Sequence, residues 1–528
     1  MSDAVVDLGR RIQSLGDLLQ FRDRPVHVVG AGSVEGAHLL LFLLDHGFSQ
    51  LVGHDFSEDQ GFDRAFKRFH VGWPAEEREA MLRRLRESVV LRFRDSYLEG
   101  VEQAEAIGVT QGWYLYDSNQ KLADSPDLRE RFFSLMQLYL ALAPGAVVGV
   151  TGSQGKSTTT RLLREMLTAG GRDVIFAGND RHSRQALGEV VAASPATVLL
   201  LEISNRHLKS LGRSPGVAVV TNVFPNHLEE HGGWDGYVAA KSEIVRYQRE
   251  GDIAVLNADL AVTREMARLT PARVVWFGER LEAAEPGVTV HLDRLTSQQL
   301  AALDLPSDSL ALPGRHNLQN VAAAAAAALA LDVAPGAIAE AAAKFRGLKH
   351  RIQFIWESGG VRFYDDLNST TPTASEAALQ TLGDGVIWIF GGDDKGLDSQ
   401  GLVGVASDAV RVALALPGPG SDKLVPDLLR AGVQVEWLED LPAAVARAVR
   451  VAQPGESVLL SPACPGFFTR YYVGADEDTG FRRLVREATL QAPPTRERPP
   501  MRGRPPMREQ PPATSPPARR PRKSEDPG

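Results

Sequence analysis

At 528 residues the chain has room for about three or four domains. Its net charge of −8, with 23% charged residues, is ordinary for a globular protein and argues against general nucleic-acid binding. One cysteine, Cys464, excludes an internal disulfide framework and a cysteine-built zinc site. No apolar run is long enough to span a bilayer, and the N-terminus MSDAVVDLGRR is not a signal peptide, so a cytoplasmic protein is expected.

Arg24 to Gly36, RPVHVVGAGSVEG, predicts a strand at Val26–Val29 and a tight turn at Gly30 and Gly32. A helical pattern over Ala37–Asp45 and a strand over Leu51–Asp55 complete a Rossmann-like beginning. The glycine spacing is G-x-G-x-x-x-G, so a nucleotide site and a plain βα turn stand level here. Ser88–Arg92 and Gly112–Tyr116 are further strand candidates in a polar, helix-rich stretch. The first domain is expected to span residues 1–124.

Pro126–Leu142 predicts one helix leading into Ala146–Thr160, AVVGVTGSQGKSTTT. The apolar β-branched run Ala146–Val150 predicts a buried strand. Thr151, Gly152, Ser153, Gln154 and Gly155 turn the chain, and Lys156, Ser157 and Thr158 open a helix. This sequence of strand, glycine turn and Lys-Ser aims backbone N–H groups at phosphate oxygens. Lys156 would reach the β/γ-phosphates, and the Ser157 hydroxyl would meet Mg²⁺. Val150 stands where the generic phosphate loop has glycine, leaving the pattern T-G-x-x-G-K-S-T.

A strand at Asp173–Ala177 precedes Gly178-Asn179-Asp180. The run Thr197–Ile203 carries Glu202 near its carboxyl end, where ligands of parallel α/β sheets gather and an acid suits nucleotide-bound Mg²⁺. The strand Gly216–Val223 delivers Asn226-His227-Leu228-Glu229-Glu230-His231. His227 is open to three readings: a second metal ligand, a helix cap or a buried histidine. Lys241 lies on a helix predicted over Gly236–Gln248, where a lone lysine is usually solvated. Ile253–Asn257 and Arg273–Phe277 are further strands.

The alanine-rich helix Asn317–Leu331 implies close helix packing. Phe345–Arg351, FRGLKHR, resembles a hinge into another unit of alternating strands and helices. Its strands are expected at Val361–Tyr364, Gly385–Phe390, Val412–Leu416, Val433–Trp437 and Ser457–Leu460, forming a further parallel sheet. From about Gln491 proline, arginine and glutamate dominate, which predicts a disordered Pro/Arg-rich tail over residues 491–528.

Taken in order, these segments resemble the Mur ligase family over most of residues 25–490. T-G-S-Q-G-K-S-T is similar to its T-G-[TS]-N-G-K-[ST]-T loop, and Glu202-Ile203-Ser204 to its E-[LV]-S segment. Asn226 to His231 is similar to D-H-L-D-x-H, and Lys241 falls at the lysine that the family carbamylates. Gly314-Arg315-His316-Asn317 with Asn320 resembles G-x-H-N-x-x-N, and Gly347 to Arg351 resembles G-L-x-H-R. Gly391 to Lys395 and Ser461 to Cys464 resemble the family's G-G-x-D/G-K and S-P-A-x-[AS].

The resemblance implies an α/β, three-domain architecture. A Rossmann-like N-domain would hold a UDP-sugar, a P-loop-like ATPase domain over residues 125–347 would bind ATP, and a Rossmann-like C-domain over residues 348–490 would bring an amino acid. It implies an ADP-forming ligase in peptidoglycan precursor synthesis that joins a carboxylate to an amine through an acyl phosphate, with D-glutamate the favoured amino acid. Gly152, Ser153, Gln154, Gly155, Lys156, Ser157 and Thr158 would cradle ATP. Asn317 would face adenine, while Arg351 and Asp366 would take phosphate and ribose. Ser157 and Glu202 would hold one Mg²⁺, and His227 and a carbamylated Lys241 a second. Thr370, Lys395 and Ser461 would meet the amino acid. A monomer is expected, with no nucleic-acid partner.

The chain also departs from the family pattern. Asn226 replaces an aspartate, Asn368 a lysine, and Gly466 a serine. These changes keep two alternatives in view: a ligase for another amino acid, and a nucleotide-binding homologue without ligase activity. A dehydrogenase built on the Gly30–Gly36 turn explains nothing after residue 140.

Overall fold

The computed structural model describes residues 7–70, 73–179, 185–209, 211–226, 228–310, 312, 314–394, 396–471 and 480–491. Three sheets follow one another along the chain. The first holds β1 (Val26–Val29), β2 (Leu51–His54), β3 (Val90–Arg92), β4 (Ala106–Val109) and β5 (Phe132–Phe133). Its order is β3-β2-β1-β4-β5 and every pairing is parallel. That is the doubly wound order, with its switch point between β1 and β4.

The second sheet is built from β6 (Val147–Thr151), β7 (Val174–Gly178), β8 (Val198–Glu202), β9 (Val217–Val220), β10 (Ile253–Asn257), β11 (Arg273–Gly278), β12 (Gly287–Val290), β13 (Arg294–Gln298) and β14 (Asp304–Pro306). The order is β14-β13-β12-β11-β10-β9-β6-β8-β7, so β6 sits between β9 and β8. The carboxyl ends of those three parallel strands therefore meet around the phosphate loop. β12, β13 and β14 add an antiparallel edge.

The third sheet contains β15 (Gln353–Ser358), β16 (Val361–Asp365), β17 (Val386–Gly391), β18 (Val410–Ala415), β19 (Val435–Trp437) and β20 (Ser457–Ala463). Its order is β15-β16-β20-β17-β18-β19, parallel except for the β15–β16 hairpin. Among the described residues no helix is long and apolar enough to cross a membrane.

The phosphate loop rests on a dense support. Ala322 to Ala328, on the helix Arg315–Ala330, are all fully buried. They share one core with Leu162, Leu163, Met166 and Leu167 of the helix Lys156–Ala169. Methyl side chains let the two helices and the sheet approach closely, so the start of the Lys156 helix is held from behind.

Several sequence expectations need correction. Gly112–Tyr116 is not a strand. Gly112 is left-handed at φ 73° and opens a 3₁₀ turn over Trp113–Leu115. The strand of this region is β4, a short apolar run only four residues long. Pro126–Leu142 is not one helix. It breaks at β5, and a new helix over Leu135–Leu142 begins where Ser134 and Gln137 form a capping box. Because β5 pairs with β4, the first sheet extends past residue 124. Helix rather than strand occupies Ser88. Residues 492–528 of the expected tail lie outside the described residues.

Enlarging the alanine face should strain this support. Ala325→Leu is expected to destabilise the protein by about 1–3 kcal/mol, measured by urea unfolding. Unchanged stability would show spare volume where the core is closed.

Candidate active site

The loop after β6 is fixed by its own side chains. Thr151 Oγ1 donates to the carbonyl of Ile203 at 2.7 Å, tying β6 to the chain beyond β8. Thr221 Oγ1 donates to the Gln154 carbonyl at 2.6 Å, and Gln154 N donates to Asn222 Oδ1 at 2.8 Å. Ser153 Oγ accepts from Phe224 N at 2.8 Å and lies 2.9 Å from the Tyr237 hydroxyl. The Ser153 side chain thus holds the loop's shape, while Gln154 is exposed. Two glycines are sterically required. A Cβ on Gly152 would lie 1.9 Å from Thr221 Oγ1. On Gly155, left-handed at φ 76°, it would lie 2.2 Å from Asn320 Oδ1. Gly155 caps the helix Lys156–Ala169, so unpaired N–H groups of its first turn, which includes Ser157 and Thr158, make an anion site.

Two lysines converge on one carbonyl. Lys156 Nζ donates to the Gly152 oxygen at 2.9 Å and to the Ser153 oxygen at 3.2 Å. Lys241 Nζ donates to the same Gly152 oxygen at 3.0 Å and to Thr151 Oγ1 at 3.3 Å. Lys241 is 1% exposed, and among the described residues no carboxylate pairs with it. Burial, then the charge of Lys156, drives its ammonium well below the usual range. Burial also lowers Lys156, opposed by the attraction of Glu202 and reinforced by repulsion from Arg351. Arg351, on the approach to β15, therefore lies within electrostatic reach of the loop.

Glu202 ends β8 and is 3% exposed. Its Oε1 accepts from Asn179 Nδ2 at 3.2 Å, while Oε2 is buried and has no hydrogen-bond partner among the described residues. A buried carboxylate oxygen left unpaired is costly, and a cation removes the cost. Among the described residues no three His, Cys, Asp or Glu side chains converge. A single carboxylate suits Mg²⁺, which keeps waters and takes phosphate oxygens for its other ligands. His227 lies outside the described residues.

The residues expected from the third sheet divide. Asp366 is 2% exposed. Its Oδ2 accepts from Ser461 Oγ at 2.7 Å and its Oδ1 from Ile352 N at 3.1 Å. Burial pushes its carboxyl up to about 7. Ser461 is fully buried and also lies 2.6 Å from Ser375 Oγ, so its hydroxyl links Asp366 to Ser375. Asn317 Oδ1 accepts from Asn320 Nδ2 at 3.2 Å, linking the expected adenine contact to the brace behind Gly155. Thr370 lines a small cavity of about 30 Å³ with Asp393, Asp394, Lys423 and Cys464. Lys395 lies outside the described residues. Lys423 escaped the sequence reading because it comes from a separate helix, Pro419–Arg430, with no local motif. Its Nζ lies 3.3 Å from Asp394. Gly466 also finds its reason here: at φ 72°, a Cβ would lie 2.2 Å from Asp393 Oδ2.

In the first sheet the Gly30–Gly32 turn is closed by Asp55, which accepts from Gly32 N at 2.9 Å. The neighbouring Phe56 and Tyr116 are 45% and 47% exposed, with ring centroids 5.0 Å apart. Such an exposed aromatic pair at the carboxyl end of a parallel sheet offers a stacking face.

Comparison with known proteins agrees with this geometry. The chain matches the Mur ligase middle domain over residues 150–328 and the Mur ligase glutamate ligase domain over residues 350–464. It is 36% identical over 375 residues to a UDP-N-acetylmuramoylalanine–D-glutamate ligase of Roseiflexus sp. (strain RS-1), covering 67% of this chain and 78% of that one. It is 37% identical over 404 residues to the similarly named protein of Symbiobacterium thermophilum, covering 74% and 86%. The UDP-N-acetylmuramate-alanine ligase of Thermotoga maritima shares the fold at a TM-score of 0.54 and 18% identity, over 89% of this chain and all of that one. With its phosphate loop, its sheets and relatives of this identity matched over most of their length, the chain belongs to the Mur ligase family.

Proposed function

We propose that the protein is an ADP-forming ligase that joins D-glutamate to UDP-N-acetylmuramoyl-L-alanine, a step of peptidoglycan precursor synthesis, and that it acts as a cytoplasmic monomer. The observation that carries the chemistry is the unpaired, buried Glu202 Oε2 facing a loop with two lysines on one carbonyl. The names of the relatives supply the substrates.

A free carboxylate is a poor acyl donor, so the substrate carboxylate is phosphorylated by ATP, and the amine of the amino acid then displaces phosphate. Phosphoryl transfer depends on alignment and charge neutralisation more than on covalent help. The loop N–H groups from Gly152 to Thr158 bind the phosphates. Lys156 exchanges its two carbonyl partners for phosphate oxygens. Glu202 and Ser157 would hold Mg²⁺, which would supply charge neutralisation at the transferring phosphoryl group. Asn317 orients adenine, with Arg351 and Asp366 closing from the third sheet. Phe56 and Tyr116 offer the base of the UDP-sugar a stacking face. Thr370 and Lys423 line the amino-acid side of the site, and Lys395 is expected to meet the distal carboxylate of D-glutamate.

Lys241 serves as an anion. Burial favours its neutral amine, whose lone pair adds CO₂ with loss of a proton to solvent, and the resulting carbamate would complement a second cation together with His227. A second reading, a ligase for a different amino acid, is favoured by the Lys423–Asp394 pair and by Gly466.

Two outcomes test the proposal. ADP release is expected only when UDP-N-acetylmuramoyl-L-alanine and D-glutamate are both present; release driven by another amino acid instead would favour the second reading. Stripping CO₂ from the buffer should depress turnover, and bicarbonate should restore it. The Lys241→Met variant should lack that response, and a bicarbonate-independent wild type would remove the carbamate from the account.

A further inference from the structure

Between the first and second sheets lies a contact that the proposed chemistry does not use. The four-residue helix Asn205–Leu208 begins just after Glu202, capped by Ser204. Ser204 N donates to His207 Nδ1 at 3.2 Å, so Nδ1 is the acceptor and Nε2 carries the proton. That Nε2–H donates to Glu35 Oε1 on the helix Val34–Asp45. The other carboxylate oxygen, Glu35 Oε2, accepts from Gln111 N at 2.8 Å. Ser204 Oγ closes the ring by donating to Gln111 Oε1 at 2.9 Å. Glu35 and His207 are each 8% exposed.

The place of this ring in the fold gives it meaning. Glu35 follows β1 and Gln111 follows β4, the two strands flanking the switch point of the first sheet. Ligands of doubly wound sheets bind at that point. Here a carboxylate from the first sheet lines the crevice and is held by the second. The same short helix grips the segment that bears His227. Arg206 Nε donates to Glu230 Oε2 at 2.9 Å, and Asn205 Nδ2 lies 2.8 Å from His231 Nε2. Lys209 Nζ, just beyond the helix, sits 3.7 Å above the Tyr114 ring.

We infer that Glu35 and His207 are positioning residues: through the helix Asn205–Leu208 they fix the loop Gln111–Tyr114 of the first sheet against the Glu202 end of β8. The UDP-sugar side is thereby held at a set distance from the transferring phosphate. The inference rests on the proposed use of a UDP-sugar carboxylate.

Steady-state kinetics of the full chain, with UDP-N-acetylmuramoyl-L-alanine and ATP varied in turn, test it. His207→Leu should raise KM for the UDP-sugar peptide about tenfold, the size expected for losing one hydrogen bond to a buried carboxylate, and leave KM for ATP within about twofold. His207→Gln keeps an N–H donor and should recover most of the loss. Glu35→Met should act in the same direction, and the double variant His207→Leu/Glu35→Met should be no worse than the worse single one, because both remove one contact. If His207→Leu does not fold, Glu35→Met and His207→Gln still decide. Unchanged KM for the UDP-sugar peptide, an equal rise in both KM values, or additive losses in the double variant would overturn the positioning role while leaving the proposed function intact. A wild type that turns over no UDP-N-acetylmuramoyl-L-alanine would overturn both.

Discussion

Lys156 and Lys241 both donate to the carbonyl of Gly152, and two ammonium groups held that close repel each other strongly away from water. The fold resolves the conflict by burying Lys241, which favours its neutral form. Lys156 keeps an opposing attraction to Glu202. The site is therefore short of negative charge next to one lysine and short of a cation next to Glu202. A triphosphate with its metal ion would satisfy both deficits at once, and a carbamate on Lys241 would turn its buried amine into an anion. The chemistry proposed for the protein follows from this imbalance.

The imbalance persists because the loop cannot relax. Ser153, Gln154, Thr221 and Asn222 fix its backbone, and the glycines at 152 and 155 leave no room for a side chain. Behind it the fully buried alanines let the helix carrying Asn317 and Asn320 approach closely. Rigid surroundings of this kind keep donors aimed at a phosphate without reorganisation. Arg351, just before β15, adds a further positive charge within electrostatic reach of Lys156.

The phosphate loop was legible because strand, glycine turn and Lys-Ser are contiguous. Glu202 was legible because an acid ends a long apolar run. What escaped the sequence was made by distant segments. The Glu35–His207 ring joins residues 172 positions apart, and neither has a local motif. Lys423 reaches the Thr370 cavity from a separate helix. Gly466 looked like a missing serine until its positive φ and its closeness to Asp393 explained it. Gly112–Tyr116 carries aromatic residues that suit a strand, yet Gly112 turns the chain. The edge strands β12–β14 were also missed, since they are only three to five residues long and β13 and β14 are largely polar.

The central claim is that the loop, Lys156 and Glu202 serve to phosphorylate a substrate carboxylate. The most direct measurement follows an oxygen atom. UDP-N-acetylmuramoyl-L-alanine labelled with ¹⁸O in the alanyl carboxylate is turned over with ATP and D-glutamate, and the released phosphate is analysed by mass spectrometry. One ¹⁸O atom per phosphate is predicted, because the acyl phosphate leaves with the carboxylate oxygen. Unlabelled phosphate formed alongside amide product would contradict the account.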